Sequence, residues 1–525
     1  MPDLNQRLIK DLLKLAPQTA SELAMAKRKL SKKYKIPLPL NSQLIAGYGI
    51  LLKSEAIRRN ENLEKVLRRR KIRTLSGVAP VAVLTKYFPC PGKCLYCPNE
   101  KKMPKSYLAN EPAVMRAIAC NFNPYRQVKF RLEALGANGH PTDKIELIVM
   151  GGTWSYLPKS YQYWFIKECF RAANDNKNSK CNPPNDGQNL KSKINNLKNK
   201  LGQEQKKNET AKRRIIGLTL ETRPDFITPE EIRLMRQLGC TKVELGVQSL
   251  DNDVLKLNQR GHSVNDTVLA TRLLKQAGFK VCYHLMTGLY GSTPGKDFLM
   301  FKKLFADENF QPDFIKIYPT VVTKTAGLYR LWQQKKYQPY SDHQLINLII
   351  KIKKIVPSYV RIIRVIRDIP AQSIMAGSKI TNLRQILQNQ GVVCRCIRCR
   401  EAKDKVFSNS DSRFSIAKYK ASNGTEYFLS YGSKDGKILY AFCRLRLQKD
   451  SFLPELKNAA LIRELHTYGQ MLPIKKNKEK AVQHLGLGKK LMLASEKIAQ
   501  KNGFRKIAVI AGIGVRGYYR KLGYR

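Results

Sequence analysis

The sequence predicts an α/β protein. A partial β/α barrel is fused to a smaller α/β domain, behind a basic helical N-terminal segment. Three observations lead there. Between about residues 76 and 390, short apolar runs alternate with amphipathic stretches, the pattern of a parallel sheet covered on both faces or of a barrel. After about residue 410 the pattern changes to longer strands with a hairpin signal, GSKDGK. The first 75 residues carry 18 Lys and Arg against 6 Asp and Glu, in helix-forming sequence. A length of 525 residues leaves room for these parts at roughly 100–200 residues per domain.

In residues 1–75, SELAMAKRKLSKKYK and SEAIRRNENLEKVLRRRKIR space apolar residues by three and four, as helices do. Ser21 and Ser54 are the expected N-caps, and KIPLPLNS breaks the run. Strands follow at 81–85, 145–150, 215–220, 242–247, 280–286, 314–319 and 360–366, with helices such as PEEIRLMRQLG between them. In such a barrel, ligands sit at the C-terminal ends of the strands. Residues 174–214 hold ten Asn and eleven Lys and Arg and are expected to form a flexible surface insertion. A cysteine-bearing linker spans 391–409. From 410 to 525, EYFLSYG, KILYAFCRLRL and LIRELHTYG read as strands and GLGKKLMLASEKIAQKNG as a helix ended by Gly503. KIAVIAG is a further strand, and GYYRKLGY follows a short helix.

The net charge of +56 points to a polyanionic partner, nucleic acid first and an anionic membrane surface second. A 43% hydrophobic composition excludes a wholly disordered chain. No apolar run approaches the ~18–20 residues of a membrane helix, and the N-terminus lacks a signal-peptide core. The expected location is cytoplasmic. Six of the twelve cysteines fall in two tight groups, which in such a chain reads as metal ligation rather than disulfide stapling.

The first group is FPCPGKCLYCPN, with Cys90, Cys94 and Cys97 spaced C-x3-C-x2-C on the loop after the first barrel strand. Three thiolates on one loop can hold three irons of a 4Fe–4S cluster and leave the fourth open; the alternative is a zinc knuckle. This loop resembles that of the radical S-adenosylmethionine (SAM) family, in which the open iron chelates SAM and reductive cleavage yields a 5′-deoxyadenosyl radical. The resemblance implies a SAM-binding role for Gly151, Gly152 and Thr153 after the second strand. It implies the same for Glu221, Arg223, Glu244 and Gln248 at later strand ends. The second group, Cys394, Cys396 and Cys399, suits a structural zinc, with a redox role as the alternative and no evident fourth ligand.

In QHLGLGKKL, Gln483, Gly486 and Gly488 open a helix after a strand, where small residues let a pyrophosphate approach the positive helix end. With its neighbours this resembles the acyl-CoA loop of the GNAT acetyltransferase superfamily, which implies a CoA-proximal tyrosine: Tyr519 first, then Tyr518.

The pairing of these two domains resembles the Elongator catalytic subunits in their single-chain bacterial and archaeal form. The matching stretches include EPAVMRAI, MGGT, ETRPD, ELGVQS, RGH, IKIYPT, RDIP and LHTYG. The resemblance implies synthesis of 5-carboxymethyluridine at the wobble position of tRNA anticodons. The radical would take hydrogen from the methyl of acetyl-CoA, and the acetyl carbon would join C5 of the uridine. It further implies that Lys144 contacts acetyl-CoA from the barrel, that Glu464, Leu465, His466 and Thr467 line the thioester, and that Leu487, Gly488, Lys489 and Lys490 hold the pyrophosphate. Lys144, His466, Tyr518 and Tyr519 are thus the candidate catalytic residues. As partners it implies tRNA, without a membrane and without required accessory Elongator subunits, and it leaves a homodimer open. The competing expectation is a protein lysine N-acetyltransferase whose iron–sulfur cluster is structural.

Overall fold

A computed structural model describes residues 4–68, 74, 76–175, 190–403, 407, 410–468 and 486–525. The N-terminal segment forms four helices, Leu4–Leu15, Ala20–Tyr34, Asn41–Lys53 and Glu61–Leu67. They enclose their own core of Leu8, Leu12, Leu30, Leu44 and Leu63. The N-caps differ from expectation. Thr19 and Asn60 cap the second and fourth helices, Ser21 lies inside a helix, and Ser54 ends one. The helix Asn41–Lys53 escapes the sequence reading because two glycines weaken its pattern. Gly47 is needed there, since a Cβ would meet the Asn5 carbonyl at 2.8 Å.

The barrel consists of β1 (Ala79–Leu84), β2 (Lys144–Met150), β3 (Arg214–Thr222), β4 (Lys242–Gln248), β5 (Lys280–Thr287), β6 (Phe314–Pro319) and β7 (Arg361–Arg364). Every neighbouring pair is parallel. The strands lie in chain order, so β1 and β7 are the two edges of an unclosed barrel. Along β2, Ile145, Leu147 and Val149 are buried beneath the covering helices and the alternate residues are half-buried, as the two-residue strand period requires.

The insertion is not a loop throughout. Leu190–Asn208 is a 19-residue helix lying along the helix Lys159–Asn174, with Leu201 buried. Asn208 donates to Asn174 Oδ1 at 2.7 Å and to the Arg213 carbonyl at 3.0 Å, and accepts from the Ile215 N–H at 2.7 Å. Asparagines that composition counts toward disorder here bracket the start of β3. Residues 176–189 lie outside the described residues.

The second sheet has the order β12–β11–β10–β9–β8. Its strands are β8 (Ser412–Ala421), β9 (Gly424–Ser433), β10 (Leu439–Leu447), β11 (Ala459–Thr467) and β12 (Lys506–Val509). β8 is an edge strand that the sequence reading omits. GYYRK belongs to the short helix Arg516–Lys521 rather than following it. β12 runs parallel to β11 only over Ala459–Ile462, so among the described residues β11 is unpaired on that side from Arg463 onward.

This sheet packs against the N-terminal ends of the barrel strands. Arg463 of β11 donates to both oxygens of Asp313, one residue before β6, at 2.6 and 2.8 Å. Arg444 lies 3.4 Å from Asp313 and Lys275 lies 4.0 Å from it. Glu426 pairs with Arg463, Arg446 and Lys275 at 2.9, 3.1 and 3.5 Å. At the rim, Glu209, just after the insertion helix, pairs with Arg516 and Arg520 at 3.3 and 2.5 Å.

Candidate active site

The loop after β1 carries the three cysteines across the C-terminal mouth of the barrel. It is tied down by backbone bonds from Leu95 to the Asn258 carbonyl (3.2 Å), from Leu328 to the Leu95 carbonyl (2.8 Å) and from Asn99 to the Thr325 carbonyl (3.1 Å). The sulfurs of Cys90 and Cys94 both face the bare side of Gly92, where an added Cβ would lie 3.7 and 3.5 Å from them and 2.6 Å from the Arg223 guanidinium. Arg260 donates to Cys94 Sγ at 3.4 Å and to the Gly246 carbonyl at 2.5 Å. A hydrogen bond from Cys97, helped against burial by the Arg260 charge, lowers the Cys94 thiol to about 4. Thr153 Oγ1 stands 4.0 Å from Cys90 Sγ. Gly151 and Gly152 have φ of +136° and +92°, backbone that favours glycine, and a Cβ on Gly151 would lie 2.0 Å from Thr85 Oγ1.

Several buried polar atoms at this mouth have no partner among the described residues: Thr85 Oγ1, Gln248 Oε1, Arg260 Nε and both ring nitrogens of His262. Burial, with the Arg260 charge, pushes His262 down to about 3, so its imidazole is neutral. Buried polar groups normally find partners, and a polar ligand over the cysteine loop would supply them.

Below the mouth the barrel lumen is charged. Tyr107 donates to Glu221 Oε2 at 2.7 Å, and His284 lies between Glu221 Oε1 at 3.2 Å and Glu244 Oε2 at 2.9 Å. Glu244 also receives Lys316 and lies 3.9 Å from Lys242, which bonds Glu146 at 2.7 Å. Burial raises the Glu244 carboxyl, but Lys316 and His284 outweigh it and hold it well below its ordinary value. Of the residues expected at strand ends, Gly151, Gly152, Thr153, Arg223 and Gln248 gather at the mouth. Glu221 joins mouth to lumen, and Glu244 is committed to the lumen. The sequence reading passed over Tyr107, Arg260, His262, His284 and Lys316. RGH and IKIYPT matched the family but were given no role, and His284 sits in an otherwise apolar strand that reads as core.

The candidate acyl-CoA residues lie in the second sheet. Side chains alternate along β11. Leu465 and Thr467 face the helix Leu487–Lys501, where a Cβ on Gly488 would lie 3.8 Å from Leu465 Cδ2, 3.9 Å from Thr467 Oγ1 and 3.0 Å from Tyr518 Oη. Gly486 opens that helix with φ +69°. Glu464 and His466 face the barrel instead. Glu464 accepts from Arg444 at 2.8 Å. His466 Nε2 donates to the Ser76 carbonyl at 2.9 Å and stacks on Phe442, and burial lowers its pKa. Lys144 opens β2 at the same end of the barrel, and burial lowers its pKa too. Of the two candidate tyrosines, Tyr518 Oη faces Gly488, while Tyr519 packs between Tyr518 and Tyr524. Gln483 lies outside the described residues.

Residues 87–301 match the radical SAM superfamily and residues 312–390 the radical SAM C-terminal domain. The tRNA uridine(34) acetyltransferase of Methanocaldococcus infernus is 43% identical over 479 residues, covering 88% of this chain and 86% of the relative. Elongator complex protein 3 of Homo sapiens is 36% identical over 481 residues, covering 87% and 84%. The chain belongs to the Elongator complex protein 3 family. The structure of the archaeal Methanocaldococcus infernus Elp3 with residues 1–46 deleted superposes with a TM-score of 0.71 at 41% identity, over 86% of this chain and 97% of that one. The family match makes the chain a radical SAM enzyme, a class that uses a 4Fe–4S cluster and SAM. The residues present fit that pair: three unbridged cysteines on one loop, two of them facing a glycine whose Cβ would fill the space between them, and buried polar atoms nearby without a partner among the described residues.

Cys394, Cys396 and Cys399 converge between the two domains, their sulfurs within 4.8 Å of one another, and among the described residues no further Cys, His, Asp or Glu completes the set. Lys353 and Arg384 reach Cys399 Sγ at 3.8 and 4.0 Å. Hydrogen bonds from Cys394 and Cys399 hold the Cys396 thiol well below its ordinary value. A donor set of three thiols ringed by cations suits a thiophilic metal. Among the described residues no helix is long and apolar enough to cross a membrane.

Proposed function

We propose that this chain modifies the wobble uridine of tRNA to 5-carboxymethyluridine, using acetyl-CoA as the source of the two-carbon group. The observation that carries the reading is the pairing, in one chain, of a cysteine loop over an open parallel barrel with a glycine-opened helix facing β11, at 43% identity to a tRNA uridine(34) acetyltransferase. When bound, cluster and SAM supply the 5′-deoxyadenosyl radical that activates the acetyl methyl group.

The protein residues divide the remaining work. Cys90, Cys94 and Cys97 hold the cluster, and Arg260 balances its thiolate charge. Gly151, Gly152, Thr153, Arg223 and Gln248 seat SAM, with Glu221 positioned by Tyr107 and His284. The helix N-terminus at Gly486–Lys490 takes the CoA pyrophosphate, and Thr467, Tyr518 and the unpaired edge of β11 seat the pantetheine arm. Lys144 and His466 face the thioester from the barrel side. The three cysteines of the linker hold one zinc. The N-terminal helices expose Arg28, Lys29, Lys32 and Lys35 on one segment, a surface that engages tRNA phosphates.

The test is anaerobic reconstitution with tRNA, acetyl-CoA, SAM and dithionite, read by nucleoside mass spectrometry. The expected result is a carboxymethyluridine peak that requires SAM and is lost in Cys94→Ala. SAM-independent acetylation of a protein amine, with no modified nucleoside from an intact cluster, overturns the reading.

A further inference from the structure

We propose that the hollow beside the cysteine loop, lined by Trp332, Pro339, Tyr340, Ala376 and Gly377, is a stacking subsite for a nucleotide adjacent to the uridine being modified; this rests on the tRNA reading above. The cavity has a volume of about 290 Å³, near the lower end of the ~300–1,000 Å³ of small-molecule sites. It opens at the mouth of the barrel. Tyr340 lies against Gly288, just past β5, whose Cβ would come within 3.2 Å of its ring. A Cβ on Gly377 would come within 3.2 Å of the Thr320 carbonyl, just past β6. Trp332 belongs to the helix Leu328–Gln333, whose first residue is bonded to the cysteine loop at Leu95. It packs in the same apolar cluster as Cys94 and Tyr96. A polynucleotide presenting one base to the mouth therefore places a neighbouring base within reach of this hollow.

Charge and geometry select the ligand. Residues 320–341 contain Lys324, Arg330, Lys335 and Lys336 and no acidic residue, and all four are exposed. Exposed Lys379 follows Gly377 by two positions. Those cations suit a phosphate backbone passing the rim. The acid on the lining is the exposed Asp342, which repels a phosphate and accepts from a base edge. Tyr340 is fixed by donating to Asp297 at 2.8 Å, and Trp332 pairs with Tyr329 at 5.7 Å between ring centroids. A rigid aromatic platform under a basic rim is how single-stranded nucleic acid is held, and unpaired anticodon-loop bases can be splayed onto it.

The test uses the full chain, without turnover, and anticodon stem-loop RNAs carrying 2-aminopurine on either side of the target uridine. Binding is expected to quench the fluorophore at one of the two positions. Trp332→Ala should abolish the quench and weaken RNA binding by about tenfold or more, while Trp332→Phe retains both. The exposed changes Lys335→Glu and Lys336→Glu should flatten the salt dependence of binding by about 0.7 in log–log slope per lost phosphate contact. Iron content per chain, equal in all variants, controls for folding. Tight RNA binding with a quench that ignores Trp332→Ala overturns the subsite and spares the tRNA reading. Equal loss of affinity for a blunt RNA duplex also overturns it. Failure of the unaltered chain to prefer the anticodon RNA over that duplex overturns both readings.

Discussion

Removing charge from Asp313 and from Lys275 should move stability in opposite directions. Both side chains are fully buried, in a set of four cations (Lys275, Arg444, Arg446, Arg463) and three carboxylates (Asp313, Glu426, Glu464). Asp313→Asn leaves Arg463 facing an amide where both carboxylate oxygens had accepted from it, and strips Arg444 of its 3.4 Å partner. Breaking one side of a buried pair costs about 3–5 kcal/mol, a large share of a typical ~5–15 kcal/mol. Lys275 is the surplus cation, and its Nζ makes no hydrogen bond. Burial pushes it down from 10.5 to about 8, which at ~1.4 kcal/mol per pKa unit sets about 3 kcal/mol against the folded state at neutral pH. Lys275→Met should therefore be neutral or stabilising by up to about that amount. The folded chain binds fewer protons than the unfolded chain between pH 8 and 10.5, so stability rises with pH across that window, and the Met variant should lose the rise. Asp313 behaves as a depressed acid: against burial, the charges of Arg463 and Lys275 hold it below the carboxylate range. Its contribution is full above about pH 4 and is lost as pH falls through the folded value, so the Asn deficit should shrink in acid. Urea midpoints from about pH 2 to 10, with hydrogen exchange at β6 and β11, measure all of this. An Asn variant within about 1 kcal/mol of the parent, or a Met variant as damaged as the Asn one, would refute the reasoning.

Other expectations follow from the site. Gly92→Ala pushes a methyl into the Arg223 guanidinium at 2.6 Å and should lower iron incorporation several-fold while leaving far-UV circular dichroism unchanged. Gly151→Ala combines φ +136° with a 2.0 Å approach to Thr85; it should cost roughly 1–3 kcal/mol, seen as a lower melting temperature, and weaken SAM binding by calorimetry. Glu209→Gln breaks ion pairs whose arginines are 41% and 58% exposed, so its effect on the urea midpoint should stay below about 1 kcal/mol. Cys396→Ala should remove about one equivalent of zinc per chain by atomic emission, with iron retained.

The barrel strands were legible to within a residue or two because each carries buried apolar residues, such as Ile145, Leu147 and Val149 of β2. β8 was not legible. Phe414 and Ile416 are exposed on an edge strand, and SRFSIAKYKA looks no more like a strand than a loop. The insertion helix was masked by asparagine content, although Ile194, Leu197 and Leu201 carry helical spacing. At the site, cysteine spacing and paired glycines identify themselves, since their chemistry is local. His284, Lys242 and Lys316 do not. Each is a polar residue in a strand, and only the fold aims them into one lumen. The division of β11, with Leu465 and Thr467 on the helix side and Glu464 and His466 on the barrel side, was implicit in strand alternation and could have been drawn from sequence.

The floor of the barrel is finished by residues that the ribosome makes late. The last barrel strand ends at Arg364, but the guanidinium that satisfies Asp313 belongs to Arg463, about a hundred residues on. At ~5–20 residues per second, that gap lasts about 5–20 s. During it Asp313 has Lys275 4.0 Å away but lacks its later partners Arg444 and Arg463. Completion of the barrel floor therefore waits on synthesis of the second sheet, which carries Arg444 and Arg463.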